Sequence, residues 1–427
     1  MEKTPKYYVT NRDIWDIMLT YTVSNNTLMM KSTKRRMIMY EPEITKEIIN
    51  VGVDDKNAEI FENQYELPDG MAYNSYLILD DKVCVMDSVD SDVTDEWLSN
   101  IDKYLGERTI DAIVVQHMEP DHSGSLAVFA DKYPDARIYT SAAAANMIKQ
   151  FFDDDLSDRI EFIKEGDKLS LGKHELNFIS APLVHWPEVM MTYESTSKTL
   201  FSADAFGKFG YKGAEADDWA CEARRYYFNI VGKYGAQVQA VLGKLKDRDI
   251  EHICPLHGPV LPENETLDFY IDKYRIWSAY EPEDDGVAIV YASIHDRGTK
   301  QAALKLEEIF KEKGIKTGVT NLTEDDLHEG VEDAFRYNRL VLCASSYDAD
   351  VFPPMRQFLN VLNIKTFRNR RVAIVENGSW APSAGRIMKQ YIEGFKDCTL
   401  VEPMVTIRST LKAGDEEKLK ELVDKLI

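Results

Sequence analysis

The sequence predicts an α/β protein in which a sandwich of strands and helices is followed by a doubly wound parallel sheet. The first observation is length, because 427 residues exceed what one ordinary core accommodates. The second is the pattern from about residue 45 to 275, where turns and a few helices separate short β-type runs. The third is the regular alternation beyond residue 286, where five strand–helix units occupy about 140 residues.

Changes in composition mark the domain boundaries that we predict. Residues 1–40 end in the basic cluster "KSTKRR" and match nothing that follows, so we expect an N-terminal extension there. The first domain is expected over 41–280 and the second over 286–427. The segment "AYEPEDDG" at 279–286 is acidic and contains Pro and Gly, which is typical of a linker.

The individual elements follow from hydrophobic periodicity. In the first domain we expect strands in "YNSYLILDDKVCVMDSV", "IDAIVVQH", "ARIYTS", "HELNFISAPLVHW", "KTLFSADAF" and "IEHICPLHG", with helices in "SDVTDEWLSNIDKYLG" and "EARRYYFNIVGKYGAQVQAVLGKLK". In the second we expect strands in "GVAIVYAS", "KTGVTNL", "RLVLCASS", "RRVAIVENG" and "TLVEPMVTI". Helices are expected there in "TKQAALKLEEIFKEKG", "PPMRQFLNVLN", "SAGRIMKQYIEGF" and "GDEEKLKELVDKLI".

Composition restricts the class of protein. The apolar share of 44% and the charged share of 29% are those of a soluble globular protein. No apolar run approaches the roughly 20 residues of a membrane span, and the start lacks a signal-peptide layout, so we expect a cytoplasmic protein without membrane partners. Five scattered cysteines fit reduced thiols. A net charge of −22 argues against nucleic-acid partners, because phosphate binding needs a basic surface.

Chemistry-bearing side chains gather where β-type runs give way to turns. The stretch "QHMEPDHSGS" at 116–125 is the densest, and three further runs end in His185, Asp204 and His257. Strand ends at one edge of a sandwich can converge although they lie far apart in the sequence. Together they offer three imidazoles and three carboxylates, which are His117, His185, His257, Glu119, Asp121 and Asp204.

This ligand set favours a pair of metals. Six ligands are too many for one catalytic metal, which keeps an open position, and they fit two metals bridged by a carboxylate. A site rich in carboxylate suits iron or manganese better than zinc. His122 is adjacent to the site, and the sequence leaves open whether it binds metal or acts on the site without binding it. His174 and His328 are expected to be exposed.

These motifs resemble those of the flavodiiron proteins. The matching stretches, in the family's order, are "AYNSYLI", "HMEPDHSGS", "HWPEVMMTY", "LFSADAFG", "ARRYYFNI" and "PLHGPV". The resemblance covers about residues 42–427 and implies a metallo-β-lactamase-like αββα sandwich followed by a flavodoxin-like domain. It also implies that His117, Glu119 and His185 hold one iron, that Asp121 and His257 hold the other, and that Asp204 bridges them.

A flavin site is expected at the strand ends of the second domain. The loop "IHDRG" between a strand ending at Ser293 and a helix starting at Thr299 is where a flavodoxin-type fold binds phosphate. Arg297 would add positive charge there, whereas Asp296 would repel a phosphate if it faced inward. The expected FMN contacts are Ser293, Ile294, His295, Asp296, Arg297, Gly298, Thr299, Ser345, Ser346, Tyr347, Asp348, Asn377, Gly378 and Trp380.

The resemblance implies reduction of O2 to water, of NO to N2O, or both, by a head-to-tail homodimer or a dimer of such dimers. Tyr226 and Tyr227 are candidates for a hydroxyl near the metals. No CxxC pair of a rubredoxin unit occurs, so a separate donor is expected, whether rubredoxin, a deazaflavin or another reductase. Two alternatives stay open at this point: a zinc-dependent metallo-β-lactamase-type hydrolase with an appended flavodoxin domain, and a flavin electron-transfer module.

Overall fold

The computed structural model describes residues 43–213 and 219–427, so the expected N-terminal extension over 1–40 lies outside the described residues. The first part of the chain builds two facing mixed sheets. The strands are β1 (Ile48–Asn50), β6 (Tyr76–Leu79), β7 (Val83–Met86), β8 (Ala112–Val115), β9 (Arg137–Thr140), β10 (Ile160–Phe162), β11 (Lys168–Ser170), β12 (Glu175–Ser180), β13 (Met190–Glu194), β14 (Thr199–Phe201) and β15 (His252–Cys254). One sheet has six strands in the order β1-β6-β7-β8-β9-β10, and the other has five in the order β11-β12-β13-β14-β15.

Two small ribbons and seven helices complete this part of the described chain. The ribbons pair β2 (Val53–Asp55) with β5 (Met71–Tyr73), and β3 (Ile60–Phe61) with β4 (Tyr65–Glu66). The helices are α1 (Thr94–Leu105), α2 (Pro120–Ser123), α3 (Leu126–Lys132), α4 (Ala142–Phe151), α5 (Trp219–Tyr226), α6 (Gly235–Leu245) and α7 (Leu267–Ser278). A π-helical turn, Tyr227–Val231, follows α5, and 3-10 turns lie at Ser91–Val93, Ser157–Arg159 and Gly232–Tyr234.

The last part of the chain forms the expected doubly wound sheet. Its strand order is β17-β16-β18-β20-β21, all parallel, with β22 beside β20 and a short antiparallel β19 beside β18. In chain order this is the 2-1-3-4-5 arrangement of flavodoxin-like folds. The strands are β16 (Asp284–Ala292), β17 (Lys316–Asn321), β18 (Tyr337–Tyr347), β19 (Asp350–Val351), β20 (Arg371–Asn377), β21 (Thr399–Leu400) and β22 (Val405–Ile407). The helices are α8 (Thr299–Glu312), α9 (Leu327–Arg336), α10 (Pro353–Ile364), α11 (Ala384–Gly394) and α12 (Ala413–Leu426).

The αββα sandwich and the flavodoxin-like sheet confirm the predicted fold class, and the details refine it. The run "TLVEPMVTI" forms two short strands instead of one, with Pro403 between them. Pro has no backbone N–H to donate to a sheet, which explains the break. Helix α9 was not among the expected elements. No described helix is long and apolar enough to cross a membrane.

The two halves pack closely together. The rings of Phe228 and Phe335 stack at 4.2 Å between centroids, and one hydrophobic core contains residues from both halves. The expected linker at 279–286 is partly wrong, because β16 already begins at Asp284 and the Glu283 carboxylate is buried in ion pairs. The described residues form one compact unit, and domain boundaries at 280 and 286 remain a proposal.

Candidate metal centre and flavin site

Strand ends deliver the expected metal ligands to one place, as the sequence predicts. His117 follows β8, His185 follows β12, and Asp204 and His257 follow the neighbouring parallel strands β14 and β15. The last two loops are tied together because the Leu256 N–H donates to the Ala203 carbonyl at 2.9 Å. All six expected ligands are buried, and they fall into two groups.

The first group contains His117, Glu119, His185 and Asp204, whose candidate ligand atoms lie within 4.8 Å of one another. The Nε2 atom of His185 is 3.0 Å from Glu119 Oε2 and 2.9 Å from Asp204 Oδ2. The Nε2 atom of His117 is 3.2 Å and 3.4 Å from the same two oxygens. These atoms converge on one point, as ligands of a single cation do.

The second group contains Asp121, His122 and His257. The Nε2 atoms of both histidines lie 3.2 Å from Asp121 Oδ2, and they are 3.0 Å from each other. The structure therefore brings His122 among the possible ligands, whereas the resemblance implies that it stays off the metal. Its Nε2 is also 3.2 Å from Asp204 Oδ1.

Asp204 connects the two groups. Its Oδ2 faces the first group and its Oδ1 faces the second; imidazole nitrogens lie 2.9 Å and 3.2 Å from them, but among the described residues neither oxygen accepts a well-aligned hydrogen bond. Both oxygens of Asp121 and the Nε2 of His185 are likewise buried and, among these residues, without a well-aligned hydrogen bond. Buried polar atoms are normally satisfied, so this concentration of unsatisfied acceptors fits a pair of cations.

Charge coupling in the cluster is strong. Burial alone would lower the pKa of His117, but the Asp204 and Glu119 carboxylates outweigh it and raise that pKa well above its ordinary value. The His117 imidazole in turn outweighs burial at Asp204 and holds its pKa well below the ordinary value. Burial raises the pKa of Asp121 to about 7. Bound cations would balance the negative charge of the carboxylates in this buried site.

Two buried acceptors orient the imidazoles from outside the cluster. The Nδ1 atom of His117 lies 2.8 Å from Glu188 Oε1, and the Nδ1 atom of His257 lies 2.8 Å from the carbonyl oxygen of Ala72. Both interactions leave Nε2 free to face a metal. Glu188 was not among the expected site residues, although it lies in the quoted stretch "HWPEVMMTY".

The two candidate tyrosines have different places. The Tyr226 ring lies 5.5 Å from the His257 ring, and its hydroxyl is buried without a hydrogen-bond partner among the described residues. The Tyr227 ring packs instead against Tyr274 and Trp277 in the core. The structure therefore places Tyr226, but not Tyr227, beside the metal groups.

A cavity of about 530 Å³ opens onto the metal groups from solvent. Glu119 and Asp121 line it, and so does Glu62. We call it the entry cavity; its lining residues are Asp55, Ala58, Ile60, Phe61, Glu62, Asn63, Tyr73, Asp90, Asp92, Val93, Glu119, Pro120 and Asp121.

A second cavity, of about 700 Å³, lies at the carboxyl edge of the flavodoxin-like sheet. We call it the edge cavity. Twelve of the expected flavin contacts line it: Ser293, Ile294, His295, Asp296, Arg297, Ser345, Ser346, Tyr347, Asp348, Asn377, Gly378 and Trp380. The lining residues not expected are Ala349, Ser379, Ala381, Ser383, Ser409 and Thr410. Ser409 and Thr410 follow the end of β22, so the expectation that side chains at strand ends converge could have found them.

The remaining two expected contacts do not line the edge cavity. Gly298 has φ +59°, and a Cβ there would meet the Ser409 carbonyl oxygen at 2.0 Å, so this turn requires glycine. The Thr299 hydroxyl is buried and hydrogen-bonds the Ser345 hydroxyl at 2.9 Å. Asp296 lines the edge cavity, but its side chain is 78% exposed and pairs with Lys300 at 3.1 Å, which offsets part of its negative charge.

The edge cavity fits a flavin mononucleotide. Its volume lies in the range of cofactor pockets, roughly 300–1,000 Å³. Trp380 is 88% exposed and Tyr347 is 45% exposed, which is unusual for large aromatic side chains unless they flank a ligand or a partner. The loop before α8 and the positive end of that helix suit a phosphate.

Two of the sequence-based expectations about other histidines are wrong. His174 is buried and its Nδ1 lies 3.1 Å from the buried Glu194 Oε1. His328 is half-buried, and its Nδ1 lies 2.8 Å from Asp326 Oδ1. Both are paired with carboxylates that the sequence pattern did not reveal.

Comparisons with known proteins agree with this geometry. A family model described as "ODP family beta lactamase" matches residues 71–258. An uncharacterized protein of Methanocaldococcus jannaschii is 29% identical over 391 residues, covering 90% of this chain and 96% of that protein. The anaerobic nitric oxide reductase flavorubredoxin of Vibrio vulnificus is 28% identical over 342 residues, covering 77% of this chain and 68% of that protein.

Solved structures show the same fold. The rubredoxin oxygen:oxidoreductase of Desulfovibrio gigas superposes with a TM-score of 0.82 at 24% identity, covering 90% of this chain and 97% of that one. The flavodiiron protein of Giardia intestinalis gives a TM-score of 0.82 at 23% identity, covering 90% and 96%. The resemblance found in the sequence is therefore confirmed: the chain shares its fold with solved flavodiiron proteins and is similar in sequence to flavorubredoxins.

Proposed function

We propose that the protein is a flavodiiron reductase that reduces O2 to water, NO to N2O, or both. The proposal rests on the position of Asp204. Its two oxygens face two separate groups of buried imidazoles and carboxylates. Relatives named as nitric oxide and oxygen reductases support this function over the hydrolase that the sequence left open.

The two groups of candidate ligands correspond to two metals. His117, Glu119 and His185 would hold the first metal, Asp121 and His257 would hold the second, with His122 as a further candidate ligand, and Asp204 would contribute one oxygen to each. The carboxylate share of this set suits iron. When bound, two ferrous ions and a reduced flavin would supply the four electrons that O2 reduction to water takes, or the two that joining two NO molecules takes.

The protein's own side chains control access and hydrogen bonding. The entry cavity leads a small neutral gas to Glu119 and Asp121. On the inner side, Tyr226 presents a buried hydroxyl near Asp204 and Asp121, whose charges, together with burial, raise its pKa well above the ordinary value. That hydroxyl stays protonated and would be available to donate a hydrogen bond to a substrate bound at the metal centre.

The flavin half supplies electrons through a dimer. Exposed Trp380, Tyr347 and Ile294 surround the edge cavity, and such apolar exposure marks a contact surface. A head-to-tail dimer, in which the edge cavity of one chain abuts the entry cavity of its partner, would bring flavin and metals within reach of each other. A separate cytoplasmic donor, such as rubredoxin or a deazaflavin enzyme, would reduce the flavin.

The test is anaerobic turnover of the purified protein after chemical reduction, with O2 and NO supplied separately. Consumption of at least one gas, at a rate that falls with Tyr226→Phe, supports the proposal. A flavin-loaded and iron-loaded protein that consumes neither gas would contradict it.

A further inference from the structure

We propose that Glu188 is a positioning residue for the first metal of the pair: its carboxylate fixes the His117 ring and makes that imidazole a stronger donor. The first metal is then held more tightly, and at a lower midpoint potential, than a neutral acceptor would allow. This inference rests on the proposed metal centre.

The buried Glu188 carboxylate contacts one proposed metal ligand, His117. Glu188 Oε1 lies 2.8 Å from His117 Nδ1, and it also accepts the Met118 backbone N–H at 2.9 Å. The side chains of Glu188 and His117 are both fully buried. The second oxygen, Oε2, has no hydrogen-bond partner among the residues that the structure describes.

The acceptor behind His257 differs in kind. His257 Nδ1 is held by the neutral carbonyl of Ala72 at 2.8 Å, whereas His117 Nδ1 is held by a carboxylate at a similar distance. A charged acceptor withdraws the Nδ1 proton more strongly, which makes the opposite nitrogen a better donor to a metal. The two metal groups are therefore electronically unequal, and Glu188 causes part of the difference.

A purely structural role would not require this charge. The segment carrying Glu188 is already attached to its surroundings, because the Glu188 carbonyl accepts from Ser141 Oγ at 3.2 Å and the Met190 N–H donates to the Gln116 carbonyl at 3.0 Å. A glutamine at this place would still accept from Met118. Burying a carboxylate costs free energy that an amide avoids, so the charge itself is the feature that needs a function.

The chain offers a matched control. Glu194, the last residue of β13, is also a fully buried carboxylate, and it lies 3.1 Å from His174 Nδ1. Neither Glu194 nor His174 belongs to the metal groups found among the described residues. Glu194→Gln therefore removes a similar buried pair without touching the proposed metals.

The experiment compares wild-type protein, Glu188→Gln and Glu194→Gln after anaerobic loading with ferrous iron. Competition with a ferrous chelator measures the affinity for each iron, and an EPR-monitored redox titration measures the midpoint potentials. We expect Glu188→Gln to lose affinity for one iron by roughly ten- to a hundredfold and to show a raised potential. Glu194→Gln should match the wild type in both.

Three outcomes would overturn the inference. A folded Glu188→Gln protein with wild-type iron affinity and potentials would remove the positioning role while leaving the metal centre intact. A wild-type protein that binds no iron would refute the metal centre and this inference with it. If Glu188→Gln does not fold, ¹⁵N-histidine NMR of the zinc-loaded wild type decides: the Nδ1–H proton of His117 should resonate at lower field than that of His257, and equal shifts would refute the proposal.

Discussion

Arg224 Nε donates a hydrogen bond to Glu283 Oε2 at 2.7 Å. This bond joins helix α5 to the segment that leads into β16 of the flavodoxin-like sheet. Glu283 also accepts from Lys273 Nζ at 2.6 Å and from Trp277 Nε1 at 2.7 Å. Arg224 reaches onward to Glu332 on α9. The acidic segment that reads as a linker is thus a fixed junction between the halves.

This junction predicts a pH dependence of stability. Burial would raise the pKa of Glu283, but Arg224, Lys273 and Trp277 outweigh it and lower the pKa from 4.5 to about 2. A pKa that is lower in the folded state contributes stability above the unfolded value, and the contribution is lost as pH falls through the folded value. Glu283→Gln should therefore cost about 3 kcal/mol at neutral pH.

Urea unfolding at a series of pH values measures this effect. The difference between wild type and Glu283→Gln should shrink as pH falls from 4.5 toward about 2. Asp285→Asn is the control, because Asp285 pairs with Arg339 at the surface and such pairs contribute little. A difference between wild type and Glu283→Gln that is constant with pH would contradict the assignment.

The bridging position of Asp204 predicts unequal effects of ligand substitutions. Asp204→Ala removes an oxygen from each group and should release both irons to a chelator, whereas His185→Ala should release mainly one. Metal analysis after gel filtration measures both. Equal loss in the two variants would contradict a bridge at Asp204.

His122 is the residue on which the structure and the resemblance differ. Its Nε2 lies 3.2 Å from oxygens of both Asp121 and Asp204, so we expect His122→Ala to release about one iron per chain to a chelator. Retention of both irons, with gas reduction altered, would instead give His122 the role off the metal that the resemblance implies.

The edge cavity predicts how flavin binding responds to charge. Arg297 lines the cavity, so Arg297→Ala should weaken FMN by roughly 1.5–3 kcal/mol, about ten- to a hundredfold in Kd. Lys300→Ala is the control, because Lys300 pairs with Asp296 and does not itself line the cavity. Fluorescence titration of the apoprotein measures both. Equal weakening would mean that general charge, not a direct contact, holds the phosphate.

The proposed dimer predicts complementation between two inactive variants. One lacks iron through His117→Ala with Asp204→Ala, and the other lacks flavin through Arg297→Ala with Trp380→Ala. A mixed dimer regains one working pair if electrons cross the interface, and should show about half the wild-type activity per dimer. Verified heterodimers that stay inactive would refute transfer between chains.

The positions of strand ends in the sequence predicted which side chains come together, because the ends of neighbouring strands meet at one edge of a sheet. This pattern placed His117, His185, Asp204 and His257, and it found most of the edge cavity. It could not find Glu188, whose partner His117 lies 71 residues away in the sequence. It also misjudged Glu283, because an acidic residue in a Pro-containing segment looks solvated until Arg224 is known to face it.

Hydrophobic periodicity also could not predict which of the candidate ligands belong to which metal. Six ligands at strand ends predict a metal pair, but only the directions of the two Asp204 oxygens show which residues belong together. The burial of His174 beside Glu194 likewise depends on a pairing across β12 and β13.

The most direct test of the metal pair is elemental analysis of the protein expressed with iron supplied. The structure predicts about two irons per chain, because Asp204 divides its oxygens between two ligand groups that are rich in carboxylate. Two zinc ions per chain without iron, together with full hydrolase activity, would contradict it.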